Sequence, residues 1–135
     1  MIERKISVVT KDQDTDFSFI ASVRCALKGI RFASKERNFR IDIIFALFTI
    51  TLGFICSISA IEWMIVIICF GLVLGGEALN SALETIVDLA SPDYHALAGK
   101  AKDCAAGAVL LFATASFVVG CIIFIPKLLN LILGA

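Results

Sequence analysis

Four polar side chains lie at the end of an otherwise apolar stretch, in the sequence GGEALNSALETIVD. They are Glu77, Asn80, Glu84 and Asp88, separated by three, four and four residues. On an α-helix this spacing places all four within about 80° of one another. A charged group inside lipid costs at least about 2.5 to 3.5 kcal/mol, so acids in such a segment usually face a cavity or a protein interior and have a function.

The residue types in this cluster favour metal-assisted chemistry on a phosphate. Acids with an amide and no neighbouring histidine suggest a hard cation, and Mg²⁺ is favoured where phosphates supply its remaining ligands. His95 is the only histidine, so one chain can hardly supply the residues of a histidine-based zinc site or a Ser-His-Asp triad. Glu36 and Asp103 are further acids that could share the metal.

The apolar stretches are long enough to cross a membrane. The chain has 135 residues, 59% of them hydrophobic, and a mean hydropathy of +0.95, which is unusual for a soluble domain. Three stretches, at about 43–61, 63–83 and 104–125, approach the roughly 20 residues that a spanning helix needs. We therefore expect an all-α integral membrane protein with three transmembrane helices. Its five scattered cysteines are expected to pack as small apolar groups, without a disulfide framework.

The basic residues orient these spans. Nine of the twelve Lys and Arg residues precede the first span, and Lys100 and Lys102 lie between the second and third. The positive-inside rule places the N-terminus and this second loop in the cytoplasm, with the C-terminus outside. At about 1.5 Å per residue, Glu77 lies about 20 Å from the outer end of its helix, within the inner leaflet, and Glu84 lies about 30 Å in, at the cytoplasmic interface. A magnesium site there suggests a nucleotide.

Such a nucleotide would have to bind without the usual motifs. The segment GLVLGG at 71–76 has the glycine spacing of a P-loop but is followed by Glu-Ala and lies in a span. The chain has no kinase Gly-rich loop and no H-R-D catalytic loop. Basic groups for the phosphates would then come from Lys100 and Lys102 at the start of the third span, where helix N-terminal amides also favour anions.

The N-terminal segment is expected to lie on the membrane surface. Residues 1–16 mix charges and threonine without a clear period, and we interpret them as a mobile tail. Residues 17–35 follow the pattern of an amphipathic helix, whose apolar arc can sink into the interface while its basic side chains reach the phosphates of membrane lipids. The alternative is an ordinary basic juxtamembrane segment. The basic arc comprises Arg24, Lys28, Arg31 and Lys35.

The polar cluster and the segment after it resemble a known family. The sequence reads EALNSALETIVD and then SPDYHALAGKAKDCAAGAVLL, which resembles the prokaryotic diacylglycerol kinase family over about 17–127. ERNF at 36–39, IEWM at 61–64 and IPK at 125–127 are most similar to its Gram-positive undecaprenol kinase branch. The resemblance implies a homotrimer in the bacterial cell membrane, with three spans and an N-terminal surface helix per subunit. It also implies a single kinase domain at 17–135 that uses ATP and Mg²⁺ to phosphorylate a lipid alcohol, with undecaprenol preferred.

The resemblance also implies roles for matching residues. Glu77 matches the general base that accepts the proton of the lipid hydroxyl, and Asn80 matches a residue that helps to orient it. Glu84 and Glu36 match the acids that hold Mg²⁺ against the nucleotide phosphates. The residues implied to contact ATP or to lie in or near its pocket are Asp88, His95, Gly99, Lys102 and Asp103. Neighbouring subunits are expected to donate part of each site.

Gly76, directly before Glu77, departs from the family pattern. The position usually carries a bulkier residue in family members. A glycine there would enlarge the space beside the reactive acid or loosen the helix, which affects the shape of the acceptor pocket.

Two alternatives to an undecaprenol kinase remain open at the level of sequence. Within the same chemistry, a diacylglycerol kinase would make phosphatidic acid. In another class, a non-enzymatic oligomeric membrane subunit would line a cation path with the acidic helix face. Membrane lipids are partners in each case, and no nucleic acid is expected.

Overall fold

The computed structural model describes residues 19–134, which form four α-helices and no β-strand. The helices are α1 (Phe19–Ala33), α2 (Arg37–Ile55), α3 (Ala60–Ala90) and α4 (Ala96–Leu133). The last three are each long and apolar enough to cross a membrane, which confirms the predicted all-α architecture with three spans. The tail predicted at residues 1–16 lies outside the described residues. α1 forms where a surface helix was predicted, and its position on the membrane stays a prediction.

The first span ends earlier than predicted. α2 ends at Ile55 and α3 begins at Ala60, whereas the apolar pattern extends the first span to about residue 61. The reason is a capping box: the Ser59 hydroxyl accepts a hydrogen bond from the backbone N–H of Glu62, and Glu62 Oε2 accepts one from the backbone N–H of Ser59. This Ser-x-x-Glu pattern is a helix-start signal in the sequence, but the apolar residues on both sides conceal it.

α3 and α4 form a long antiparallel hairpin joined by residues 91–95. An ion pair lies at each end: Lys102 Nζ is 2.5 Å from Asp88 Oδ1, and Lys127 Nζ is 3.2 Å from Glu62 Oε2. With 31 and 38 residues, the two helices are about 46 and 57 Å long at about 1.5 Å per residue. Both exceed the roughly 30 Å of the hydrocarbon core, so their polar ends can extend into water.

A small apolar core lies near the α2–α3 turn. Its buried side chains are Ile58, Val66, Ile123 and Phe124. Beside it, the indole of Trp63 packs on the backbone of Gly53, where an added Cβ would lie 2.7 Å from Trp63 Cη2. Most other large apolar side chains on α2, α3 and α4 are exposed, as expected for helices that contact lipid or another subunit.

Candidate active site

The polar face of α3 lines a small cleft against the beginning of α2. The cleft has a volume of about 100 Å³ and is lined by Glu36, Arg37, Asn38, Glu77, Asn80, Ser81 and Glu84. Glu36 is the N-cap residue of α2, and its side chain makes no capping hydrogen bond, so its carboxylate is available to the cleft. The structure therefore brings together four of the predicted site residues, which are Glu36, Glu77, Asn80 and Glu84.

Asn80 is the most specifically arranged side chain in this cleft. Its Nδ2 donates a hydrogen bond of 3.1 Å to Oε1 of Glu84, one helical turn away. Its Oδ1 is buried and has no hydrogen-bond partner among residues 19–134. Buried amide oxygens are rarely left unpaired, so this atom is well suited to accept a hydrogen bond from a bound molecule or to ligate a hard cation.

Glu77 is the more buried of the two acids that α3 places in the cleft. Only 3% of its surface is exposed, and the Asn38 amide lies close to its carboxylate. Asp42, Glu84 and Glu36 are close enough to interact electrostatically with it. Three acids thus line the cleft and Asp42 lies nearby, whereas Arg37 is the only basic lining residue among residues 19–134. This excess of negative charge favours a bound cation.

The side chains of the cleft form a donor set that would suit a magnesium ion held together with phosphates. Among residues 19–134, no three His, Cys, Asp or Glu side chains converge closely enough to hold a metal ion by themselves. Glu36 and Glu84 nevertheless open onto the same cleft. Mg²⁺ in phosphate-transfer sites is typically held by one or two carboxylates together with substrate phosphates and water, which is the donor set available here.

A larger apolar groove runs along α2, α3 and α4 and ends beside the cleft. It encloses about 520 Å³, and its walls are mainly apolar side chains with Asp42 among them. On α3 the groove ends at Leu74, one turn before Glu77, and on α2 Asp42 lies one turn after the cleft residue Asn38. Groove and cleft therefore follow one another along α2 and α3, about one helical turn apart. Ala113 and Gly120, small residues of α4, line the groove and leave it room.

The remaining predicted site residues lie outside this cleft in a single chain. Lys102 pairs with Asp88, and Nδ1 of His95 caps α4 by accepting a 3.2 Å hydrogen bond from the backbone N–H of Leu97. Gly99 and Asp103 lie in the first turns of α4. None of these five residues lines the cleft, and their roles toward a nucleotide stay predictions.

Some residues of the cleft and of the groove were not identified from sequence. Asn38 and Arg37 follow Glu36 directly in the charged segment KERNFR and contribute to the same cleft. Asp42 lies four residues after Asn38, so the two share one face of α2. That spacing is the signal that could have identified Asp42, because it repeats on α2 the polar periodicity that is visible on α3.

Gly76 does not enlarge the space beside Glu77. A Cβ added at Gly76 would lie 2.7 Å from Cδ2 and 3.2 Å from Cε2 of Phe112. A real Cβ does not approach an aromatic carbon to 2.7 Å, so only glycine allows the ring of Phe112 to lie here. The expected extra space is therefore absent, because an α4 side chain fills it.

Comparisons with known proteins identify the family of this chain. A family model described as prokaryotic diacylglycerol kinase matches residues 24–124. The undecaprenol kinase of Bacillus subtilis is 41% identical over 121 residues, which cover 88% of this chain and 98% of that protein. The diacylglycerol kinase of Synechocystis sp. is 41% identical over 116 residues (84% of this chain and 66% of that protein), and that of Escherichia coli is 34% identical over 97 residues (71% and 80%). The resemblance seen in the sequence is confirmed: the chain belongs to the prokaryotic diacylglycerol kinase family and is a multi-pass membrane lipid kinase.

Proposed function

We propose that this kinase transfers the γ-phosphoryl group of ATP to the hydroxyl of undecaprenol at the cytoplasmic face of the bacterial cell membrane. The observation that carries the proposal is the position of Glu77, a buried acid that lines the polar cleft about one helical turn beyond the end of the apolar groove. A lipid alcohol with its chain in the groove would place its hydroxyl beside Glu77. A water-soluble nucleotide would reach the cleft from the other side.

Different side chains of the cleft can accept the proton, orient the hydroxyl and bind the metal in this transfer. Glu77 can take the single proton of the incoming hydroxyl as the new O–P bond forms in line with the departing ADP. The amide of Asn80 has a second N–H besides the one that bonds to Glu84, and this N–H can donate to the hydroxyl oxygen and hold it beside Glu77. Glu36 and Glu84 would hold Mg²⁺, which neutralises charge on the transferring phosphoryl group. The hydrogen bond from Asn80 to Glu84 keeps that carboxylate oriented toward the cleft.

The site is completed in this proposal by neighbouring subunits of a homotrimer. Lys102, Asp103 and Gly99 do not line the cleft of their own chain. In a trimer they would reach the nucleotide in a neighbour's cleft, and Lys102 would leave its ion pair with Asp88 to do so. On α3, Cβ atoms added at Gly71 or Gly75 would meet nothing within 4 Å among the described residues. These bare positions favour close packing against another helix.

Undecaprenol is favoured as the acceptor by the extent of one similarity. The alignment with the Bacillus subtilis undecaprenol kinase covers 88% of this chain and 98% of that protein. Diacylglycerol is the second candidate, because the Synechocystis relative named diacylglycerol kinase is equally identical over a slightly shorter range. Membership of a kinase family argues against the non-enzymatic alternative.

The acceptor can be tested with purified protein in lipid nanodiscs. Mg·ATP labelled at the γ-phosphate is supplied together with undecaprenol or diacylglycerol, and the phosphorylated lipid is measured. We expect a clear preference for undecaprenol. Undecaprenyl phosphate, which has no free hydroxyl, is the matched negative control. A preference for diacylglycerol would replace the proposed acceptor, and no transfer to either lipid would refute the proposed reaction.

A further inference from the structure

Gly76 and Phe112 make a close contact beside the proposed base. The ring of Phe112, on α4, lies where a Cβ at position 76 would be, and Gly76 is buried. Along α3 this position falls between Leu74, at the end of the groove, and Glu77, at the start of the cleft. The ring therefore supports α3 at the level between the groove and the cleft.

Two different helices hold this turn of α3. Successive residues of an α-helix point about 100° apart, and here Gly76 meets α4 through Phe112 while Glu77 meets the Asn38 amide of α2. A glycine inside a helix removes the side chain that would restrict the backbone. The Phe112 ring packs against the backbone of Gly76. This contact restricts the backbone conformation at the residue next to Glu77.

We infer that Phe112 is a positioning residue for phosphoryl transfer, which acts by holding the Gly76–Glu77 turn so that the Glu77 carboxylate meets the lipid hydroxyl. The inference rests on the proposed role of Glu77 as the base. Small displacements of a reacting group lower the rate of a step strongly, whereas nucleotide binding depends on other cleft residues. Loss of the contact should therefore lower kcat more than it raises KM for Mg·ATP.

The first variant is Gly76→Ala, whose methyl group forces the ring of Phe112 away. We expect kcat to fall about tenfold or more, with KM for Mg·ATP changed by less than about twofold because the cleft acids remain. The double variant Gly76→Ala, Phe112→Leu removes the steric conflict and should recover most of the lost kcat. Phe112→Leu alone, which is easier to accommodate, should lower kcat severalfold.

The chain contains a matched control for purely structural damage. Gly53 makes an equivalent contact, since an added Cβ would lie 2.7 Å from the Trp63 ring, but it lies near the α2–α3 turn at the other end of the hairpin. Gly53→Ala should lower the thermal unfolding midpoint as Gly76→Ala does, while its kcat in assembled protein stays at the wild-type value. Equal loss of kcat in the two variants would overturn the inference, as would wild-type kcat in Gly76→Ala or in Phe112→Leu.

A measurement without activity separates this inference from the proposed reaction. A membrane-permeant carbodiimide modifies buried carboxyl groups, and its reaction with Glu77 can be followed by peptide mass spectrometry. We expect the rate of Glu77 modification to change clearly in Gly76→Ala. In Gly53→Ala it should equal the wild-type rate, and in the double variant it should be close to the wild-type rate. An unchanged rate in Gly76→Ala refutes the positioning by Phe112. If the wild-type protein phosphorylates no lipid, the proposed reaction and the predicted effect on kcat are refuted. A changed rate of Glu77 modification in Gly76→Ala would still support the positioning of Glu77 by Phe112.

Discussion

Nδ2 of Asn80 donates a hydrogen bond to Oε1 of Glu84 at 3.1 Å, one helical turn along α3, and the other end of the same amide is buried without a partner among residues 19–134. The Asn80 side chain thus orients the Glu84 carboxylate, and its Oδ1 remains as an unpaired hydrogen-bond acceptor within the described residues. Removing this side chain should affect both the metal and the lipid hydroxyl.

We expect Asn80→Ala to lower kcat by about 10 to 100-fold, the usual cost of losing a partner that orients a metal ligand. The Mg²⁺ concentration that supports half-maximal activity should rise, because Glu84 is no longer held toward the cleft. Steady-state assays over a range of Mg²⁺ concentrations measure both effects. Thr85→Ala is the control, since within residues 19–134 the Thr85 hydroxyl bonds to the Ser81 carbonyl alone. Equal behaviour of the two variants would show that the Asn80 amide has no special role.

Glu77→Gln tests the proposed base with almost no change in size. We expect kcat to fall about 10² to 10⁴-fold, the range that general-base catalysis supplies, with little change in KM for Mg·ATP. Glu62→Gln, at the opposite end of α3, is the control because Glu62 pairs with Lys127 far from the cleft. If Glu77→Gln phosphorylates lipid normally but loses an ion conductance seen in the wild type, Glu77 lines a cation path and is not the base.

Glu84→Ala and Glu36→Ala test the metal. Each should raise the Mg²⁺ requirement about tenfold or more, and chelation of divalent ions should abolish wild-type activity until Mg²⁺ is restored. Size-exclusion chromatography in detergent should show the same oligomer as the wild type. A variant that loses the oligomer but keeps the wild-type Mg²⁺ dependence would argue against metal ligation by that acid.

The ion pair of Lys102 with Asp88 can be separated from nucleotide binding. Their side chains are 37% and 66% exposed, and such pairs contribute about 0 to 1 kcal/mol to stability. Asp88→Asn should therefore leave the thermal unfolding midpoint nearly unchanged. Lys102→Met should raise KM for ATP severalfold at a similar unfolding midpoint. Unchanged KM in Lys102→Met would refute its predicted contact with ATP.

Ser59→Ala should destabilise the turn between α2 and α3 without affecting catalysis. It removes the hydroxyl that accepts from the backbone of Glu62, and loss of such a cap typically costs about 1 kcal/mol. A lower unfolding midpoint at wild-type kcat is expected. A large loss of kcat in fully assembled protein would mean that the conformation of this turn affects the geometry of the cleft.

Much of the candidate site could be predicted because it depends on short-range periodicity. Glu77, Asn80 and Glu84 share a face through spacings of three and four residues, which any α-helix imposes. The three spans followed from the length of their apolar stretches. The end of α2 could not be located in this way, because hydropathy continues across a turn that is set by the hydrogen bonds of Ser59 and Glu62.

The sequence by itself determined that three helices cross the membrane and that one of them carries a polar face, since both properties are local and repeat with the helix. Only the tertiary structure decided that Glu36 joins Glu77 across 41 positions of the chain, that Asp42 lies between groove and cleft, and that Phe112 fills the space at Gly76. These relationships depend on the register in which α2 and α4 pack against α3. That register is set by many side-chain contacts between distant residues, which no periodic pattern in one segment encodes.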